Sequence, residues 1–297
     1  MKNQKVHTIS LQDKWSAFVE LGKIRLSSLV VFSTLIGYML AGPGIAEISW
    51  LHMALLAVGG MLITISANTV NQILEIDSDA LMNRTKGRPL PTSRLTVNET
   101  RIFAMATLVI GAVIMLYYFG ALAALISIVS FILYAFIYTP MKKKSPIAVF
   151  IGAFPGAFPP LIGWVAFTGT LDWVGIVLFG IQFFWQFPHF WAIAWVADED
   201  YRKAGFKLLP SDGGKNLNTA FQIMVYTLLL IPMGMLPYHL GLTGVTSMVI
   251  AVFAGTVFLI QTFSLMRTCD TSSAKRIMFS SFLYLPIVQI AYVIDKI

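Results

Sequence analysis

Two short stretches hold most of the acidic charge in this chain. The first, NQILEIDSDALMNRTKGRPLP over 71–91, follows directly on the apolar run LHMALLAVGGMLITISANTV. Asn71, Glu75 and Asp79 recur every four residues. Each such step advances about 40° around a helix, so the three share one side if the helix continues that far. Asp77 then lies roughly 200° from Glu75 and points away, unless the helix unwinds near Ser78. The second stretch, Asp198, Glu199 and Asp200, opens the segment DEDYRKAGFKLLP. Oxygen ligands suit a hard cation, and Mg2+ usually takes one or two carboxylates together with substrate phosphates and water. Arg84, Arg88, Arg202 and Lys207 add cationic groups, and the planar arginine fork matches phosphate oxygens. Gly87-Arg88-Pro89 breaks the helix and turns the chain back over such a ligand. Together the stretches predict a joint site for Mg2+ and a diphosphate, with Asn71, Glu75, Asp77, Asp79, Glu199 and Asp200 as candidate metal ligands. The competing reading is that these charges solvate two loops and cap two helices. It is weaker for the first stretch, because charge at membrane depth is costly and by default functional.

Membrane depth follows from the rest of the chain. Of 297 residues, 57% are hydrophobic and 12% charged, with a mean hydropathy of +0.76. Soluble domains carry roughly 25% charged residues, so a soluble fold would have nowhere to hide this apolar surface. A bilayer core takes about 20 apolar residues per helix. Nine spans are predicted, at 26–42, 51–74, 102–119, 121–139, 146–168, 173–197, 218–237, 243–266 and 277–295, in an all-α polytopic chain. The third and fourth meet at a tight turn near Gly120. Residues 1–25 form a polar, mildly basic segment without the pattern of a cleaved signal peptide. Cys269 is alone, which excludes an intramolecular disulfide and a cysteine-based metal site.

Charge placement supports this division, since Lys and Arg are retained on the cytoplasmic side. Lys2, Lys5, Lys14, Lys23 and Arg25 precede the first span. Arg84 to Arg101, Lys142 to Lys144, Arg202 to Lys215 and Arg267 to Arg276 follow the second, fourth, sixth and eighth. Of 21 basic residues only Lys296 falls on the other side. The N-terminus and both acidic loops are therefore expected in the cytoplasm and the C-terminus opposite. The +7 net charge reports orientation in the bilayer, not nucleic-acid binding. The acidic loops are four crossings apart, which hints at a four-plus-four arrangement with one added helix.

Three further features carry alternatives. His189 follows Pro188 about eight residues before the end of its span, among Trp185, Phe187, Phe190 and Trp191. It reads as a substrate contact or as a packing histidine bonded to a carbonyl that Pro188 frees. Lys142 and Lys143 read as topological anchors or as diphosphate contacts. Pro155, Pro159 and Pro160, among Gly152, Gly156 and Gly163, predict a broken fifth span lining a cavity, or a packing kink. His7, His52 and His239 are assigned no role.

The order Asn-x-x-x-Glu-x-Asp-x-Asp, then Met82-x-Arg84-Thr85 and Arg88-Pro89-Leu90, resembles the first signature of the UbiA superfamily of intramembrane prenyltransferases. More narrowly it resembles the branch that prenylates haem. FVELGKIRLSSLVVFSTLIGYMLAG resembles the family's opening segment, with Ile24 where proline is commoner. YTPMKKKSPIAVFIGAFPGAFPPLIGW resembles its middle signature, and WQFPHFWAIAWVADEDYRKAGFKLLP the stretch that marks the haem branch. Glu75 stands where the superfamily usually has Asp. The superfamily's second Asp-x-x-x-Asp is absent: its positions fall at Ala197 and Tyr201, and the branch's Glu-Asp-Tyr is matched by Glu199, Asp200 and Tyr201.

The resemblance implies one prenyltransferase domain over 26–297, a helical bundle around a central cavity, in a bacterial plasma (inner) membrane. It implies an Mg2+-dependent transfer of farnesyl from farnesyl diphosphate to a vinyl group of haem B, with water completing the new substituent. Asn71, Glu75, Asp79 and Asp200 would act at the reacting centre, and Arg84, Arg88, Lys142, His189, Arg202 and Lys207 on the substrates. A haem A synthase or a terminal oxidase assembly would receive the product. Two other readings compete: the same chemistry on an aromatic quinone precursor, and a transporter using the acidic loops as a coupling-ion site. Transporter sites usually lie near the midplane on discontinuous helices, whereas these charges cluster at one face.

Overall fold

The computed structural model describes residues 10–44, 47–210 and 214–297. Lys2, Lys5 and His7 lie outside the described residues. Eight helices among the described residues are long and apolar enough to cross a membrane. They are α2 (Ile24–Ala41), α3 (Trp50–Leu74), α5 with its continuation (Val97–Met141), α7 (Ile147–Thr168), α8 (Trp173–Val196), α10 (Leu217–His239), α11 (Val245–Thr268) and α12 (Thr271–Ile294). Short helices α1 (Leu11–Leu21), α4 (Ile76–Leu81), α6 (Thr139–Met141) and α9 (Asp198–Lys203) sit outside or at the ends of the spans.

The Val97–Met141 run makes two crossings. Gly120 has φ 83° and ψ 171°, a backbone region essentially reserved for glycine, and the helix reverses there. Hydrogen bonds fix the reversal. Ser66 of α3 donates to the Ala104 carbonyl (2.7 Å), and Asn71, five residues further along α3, donates to Thr139 (3.0 Å). A straight helix would set residues 104 and 139 about 50 Å apart at 1.5 Å per residue, so both can reach adjacent turns of α3 only if the chain folds back. Counted this way there are nine crossings among the described residues.

Pro155, Pro159 and Pro160 do not break α7, which runs unbroken from Ile147 to Thr168 and corrects the expectation of a broken fifth span. A proline at position i leaves the carbonyl at i−4 without its helical donor. Pro159 frees the Pro155 carbonyl, which accepts from Ser130 Oγ (3.2 Å); Pro160 frees the Gly156 carbonyl, which accepts from Gln182 Nε2 (2.7 Å). In lipid such freed groups must find partners inside the protein, and here neighbouring helices provide them. Gln182 is in turn bonded by Gln289 Nε2 (3.0 Å), whose Oε1 accepts from Ser33 (3.1 Å). A buried chain of amides thereby ties α2, α7, α8 and α12 together.

The C-terminal end of the chain is fastened to the α10–α11 turn. Gly244 donates to the Asp295 carbonyl (2.7 Å), and the Asp295 carboxylate accepts from the Ser247 amide (2.6 Å). Lys296 Nζ reaches the Met39 carbonyl at the far end of α2 (3.5 Å), opposite the end where α2 meets the acidic loops.

Candidate active site

The two acidic stretches are built alike. Helix α3 ends at Glu75 (φ −109°, ψ 14°), whose N–H still bonds the Asn71 carbonyl (3.1 Å), and the chain re-enters a short helix, α4. Helix α8 ends at Ala197 (φ −97°, ψ 12°), whose N–H bonds the Ile193 carbonyl (2.9 Å), and continues as α9. Each membrane helix thus carries a one-residue hinge and a six-residue cap, and the caps touch. The Arg84 amide donates to Asp200 Oδ2 (3.1 Å), and the Arg84 guanidinium lies 5.9 Å from the Tyr201 ring centre. The Lys207 amide donates to the Lys142 carbonyl (2.7 Å), joining the second loop to the end of the α5 hairpin. Both acidic loops therefore meet at one end of the bundle.

Of the sequence candidates, the structure gathers Asn71, Glu75, Asp79, Arg88 and Lys142 into one buried cluster. Asp79 is fully buried; its Oδ2 pairs with Arg88 Nη1 (2.6 Å), and its Oδ1 has no partner among the described residues. Glu75 is 5% exposed, and its Oε1 lies 2.5 Å from Lys142 Nζ, an ionic contact without the direction of a hydrogen bond. Asn71 turns its amide nitrogen to Thr139, whose hydroxyl donates to the Tyr134 carbonyl (2.8 Å), so the carboxamide oxygen faces away from Thr139. A wide helical turn at Leu133–Tyr138 sets these residues, a distortion frequent at functional sites. Tyr138 then lies against Gly152, where an added Cβ would come within 2.7 Å of its ring. Lys142 Nζ sits 4.9 Å from the Tyr138 ring centre and 5.3 Å from that of Phe206.

Other candidates stand apart. Asp77 and Glu199 are exposed, Asp77 on the side of the helix that its spacing from Glu75 implied. Arg84, Arg202 and Lys207 are exposed as well, and Arg202 pairs with Asp198 (3.0 Å). Asp200 clasps the loops together. Desolvation pushes its carboxyl up, but the Arg84 and Asn83 amides and the Lys203 ammonium (3.3 Å) outweigh that and hold it below the usual carboxylate range.

From sequence Lys23 reads only as a topological charge, yet the structure sets it beside this cluster. It occupies the left-handed region (φ 46°) between α1 and α2. The elbow is fastened by α3: Gln72 Nε2 donates to the Leu21 carbonyl (2.9 Å), and Asn68 Nδ2 to Ser27 Oγ (3.1 Å), which donates to the Gly22 carbonyl (2.7 Å). Burial first, then the nearby charges of Arg88 and Lys142, lower the Lys23 ammonium to about 7, with Glu75 and Asp79 opposing. Its only sequence signal is its place at the mouth of the first span.

Two carboxylates, each paired with a cation, thus meet here, with Lys23 near enough to feel all four charges, and the fully buried Asp79 keeps an oxygen that has no partner among the described residues. Among the described residues no three His, Cys, Asp or Glu side chains stand close enough to hold a metal by themselves. The set fits an ion that takes one or two carboxylates and completes its shell with phosphate oxygens and water, as Mg2+ does.

A family model described as the UbiA prenyltransferase family matches residues 30–285. The chain belongs to the UbiA prenyltransferase family. It is 53% identical to a protoheme IX farnesyltransferase of Cytophaga hutchinsonii over 97% of this chain and 100% of that one. It is 42% identical to a protein of the same name from Christiangramia forsetii, over 100% of this chain and 98% of that one. Among solved structures it is similar to a digeranylgeranylglyceryl phosphate synthase (TM-score 0.79, 21% identity, 95% of this chain and 98% of that one). A UbiA homologue of Archaeoglobus fulgidus bound to GPP and Mg2+ is also similar (TM-score 0.66, 14% identity, 93% and 99%). At these identities the structures share the fold, a membrane-embedded helical bundle.

His189 lies in α8, away from the acidic loops. Its Nδ1 is 2.8 Å from Ser281 Oγ, and its ring stacks on Trp185 (centroids 4.4 Å, 17°) and meets Phe282 edge-on (5.1 Å). The partner is a hydroxyl of α12, not a carbonyl freed by Pro188.

Proposed function

We propose that this protein transfers a farnesyl group from farnesyl diphosphate to a vinyl group of haem B, with addition of water, giving haem O and diphosphate. One observation carries the reading: 53% identity along a whole chain called a protoheme IX farnesyltransferase. The site is chemically suited to it. Cleavage of the allylic C–O bond sends both electrons to the diphosphate, so negative charge grows on a group that Arg88 and Lys142, with Lys23 beside them, would neutralise. Preorganised charge aimed at such a leaving group is worth most in a water-poor setting. Asn71, Glu75 and Asp79 would hold Mg2+, which when bound supplies charge neutralisation for the diphosphate. The farnesyl cation then accepts the electron pair of the vinyl group, and water adds to the adjacent carbon with loss of a proton.

The cation must be kept from bulk water until the vinyl group reaches it. Phe206, Leu208 and Leu209 of the second loop are buried, and the aromatic ring of Tyr138 covers Lys142. Asp200, Arg84 and Tyr201 fasten this cover to the first loop. His189, on the same helix that leads into α9, is the residue we assign to the haem. In this reading the chain lies in the bacterial inner membrane with its charged face toward the cytoplasm, and a haem A synthase or oxidase assembly takes the product. Purified protein given farnesyl diphosphate, Mg2+ and either haem B or an aromatic acid tests the acceptor. Product from haem B is expected, and product from the aromatic acid alone would replace this reading with quinone-precursor prenylation.

A further inference from the structure

Helix α1 divides its surface unevenly. At about 100° per residue its apolar side chains form one arc, Ala17, Leu21, Phe18, Leu11, Trp15 and Val19 in angular order, with Lys14 set between Leu21 and Phe18. Gln12, Ser16, Glu20 and Asp13 occupy the opposite side. One end of the arc is settled in the protein, where Ala17 and Leu21 are fully buried against Leu95. The other end has no cover among the described residues: Leu11 is 88%, Trp15 72% and Val19 45% exposed.

We propose that this open end of the arc lies in the lipid headgroup and acyl boundary, making α1 an interfacial anchor beside the first span. Continuity with the bilayer-facing surface carries the assignment. Phe18, in the middle of the arc, packs at a tilt against Phe103 of α5 (centroids 4.9 Å, 46°). Ile102 and Met105 flank Phe103 and are 70% and 62% exposed, and the same apolar surface continues through Val109, Val113 and Leu116 along the spanning helix. The apolar arc of α1 is therefore the end of the lipid-facing surface, turned into the plane of the membrane. Two ion pairs fix the roll of the helix: Lys14, between Leu21 and Phe18, to Glu99 (2.6 Å), and Glu20 of the polar side to Arg94 (2.5 Å). Tryptophan prefers this boundary, where its ring is half in an apolar layer. The consequence reaches the site, because α1 ends at the elbow that presents Lys23.

Spin labels give a direct reading. In full-length Cys269→Ser protein reconstituted into phosphatidylcholine–phosphatidylglycerol vesicles, nitroxides are placed at Trp15→Cys, Val19→Cys and Ser16→Cys. Collisions with oxygen, enriched in lipid, and with a water-soluble nickel chelate then report each position. Labels at 15 and 19 are expected to be oxygen-accessible and shielded from nickel, at a depth of roughly 5–10 Å. The label at 16 is expected to be open to nickel. Free access of nickel to 15 and 19 would place the arc in water and overturn the assignment. Shielding of 15 and 19 from both reagents would mean a protein partner or second copy covers the arc, which overturns it equally.

Discussion

Exchanging Glu75 for glutamine removes one negative charge from the cluster at nearly constant shape. Glu75 is 5% exposed and Lys142 8% exposed, with 2.5 Å between their charged atoms. Breaking a buried pair by removing one partner costs about 3–5 kcal/mol when nothing else compensates the charge left behind. Lys142 retains the Tyr138 and Phe206 rings at 4.9 and 5.3 Å. A desolvated cation–ring contact contributes up to about 2 kcal/mol, which reduces the expected loss to about 1–3 kcal/mol and leaves the protein folded. Turnover should suffer more, since loss of one group that stabilises developing charge costs about 10²–10³-fold. The assay is the initial rate of haem prenylation at saturating substrates across a magnesium titration, alongside thermal unfolding in the same detergent. Glu75→Gln should lose about 10²–10³ in rate, and its magnesium midpoint should rise by about tenfold, equivalent to about 1.4 kcal/mol. Adding Lys142→Met should restore much of the stability, because both charges are then gone, without restoring the rate. A folded Glu75→Gln enzyme with near-normal turnover and an unmoved magnesium midpoint would refute the role given to the cluster.

Four shorter expectations accompany it. In metal-free, substrate-free protein, Lys23 titrates near 7 against 10.5 unfolded, so between those values the unfolded chain binds more protons and stability should rise with pH; Lys23→Met should flatten that slope in chemical denaturation. Gly120→Ala forces a side chain onto φ 83°, ψ 171° and should cost about 1–3 kcal/mol in thermal unfolding, while an unchanged midpoint would argue against a sharp reversal there. Ser281→Ala leaves His189 Nδ1 without its 2.8 Å partner and should destabilise the protein by about 1–3 kcal/mol. His189→Ala should weaken haem B binding, seen in the Soret band, at an unchanged KM for farnesyl diphosphate; an unchanged Soret titration would remove His189 from the haem site.

The membrane fold was legible because bilayer thickness sets span length and the basic residues mark one face. Gly120 could be read as a turn because two apolar runs abut there with only a glycine between them. The unbroken α7 was not legible: whether three prolines break a helix depends on donors such as Ser130 and Gln182, far away in sequence, reaching the freed carbonyls. Helix α1 went unseen because its pattern sits in a polar segment whose mixed apolar arc meets two different surroundings. In the site, the four-residue spacing of Asn71, Glu75 and Asp79 announced a shared face. Asp200 could be placed in the second loop by type, but its binding to the Arg84 amide depends on how the two hinged caps dock. Lys23 was hidden among residues that topology alone explains, and only the left-handed elbow between α1 and α2 shows where it points its charge.

Haems extracted from cells with and without this gene, compared by mass spectrometry, test the central claim most directly. The expected result is a gene-dependent haem heavier than haem B by one hydrated farnesyl group, lost again when Glu75 is replaced by glutamine. An identical haem profile in both strains, with the protein present in the membrane, would contradict it.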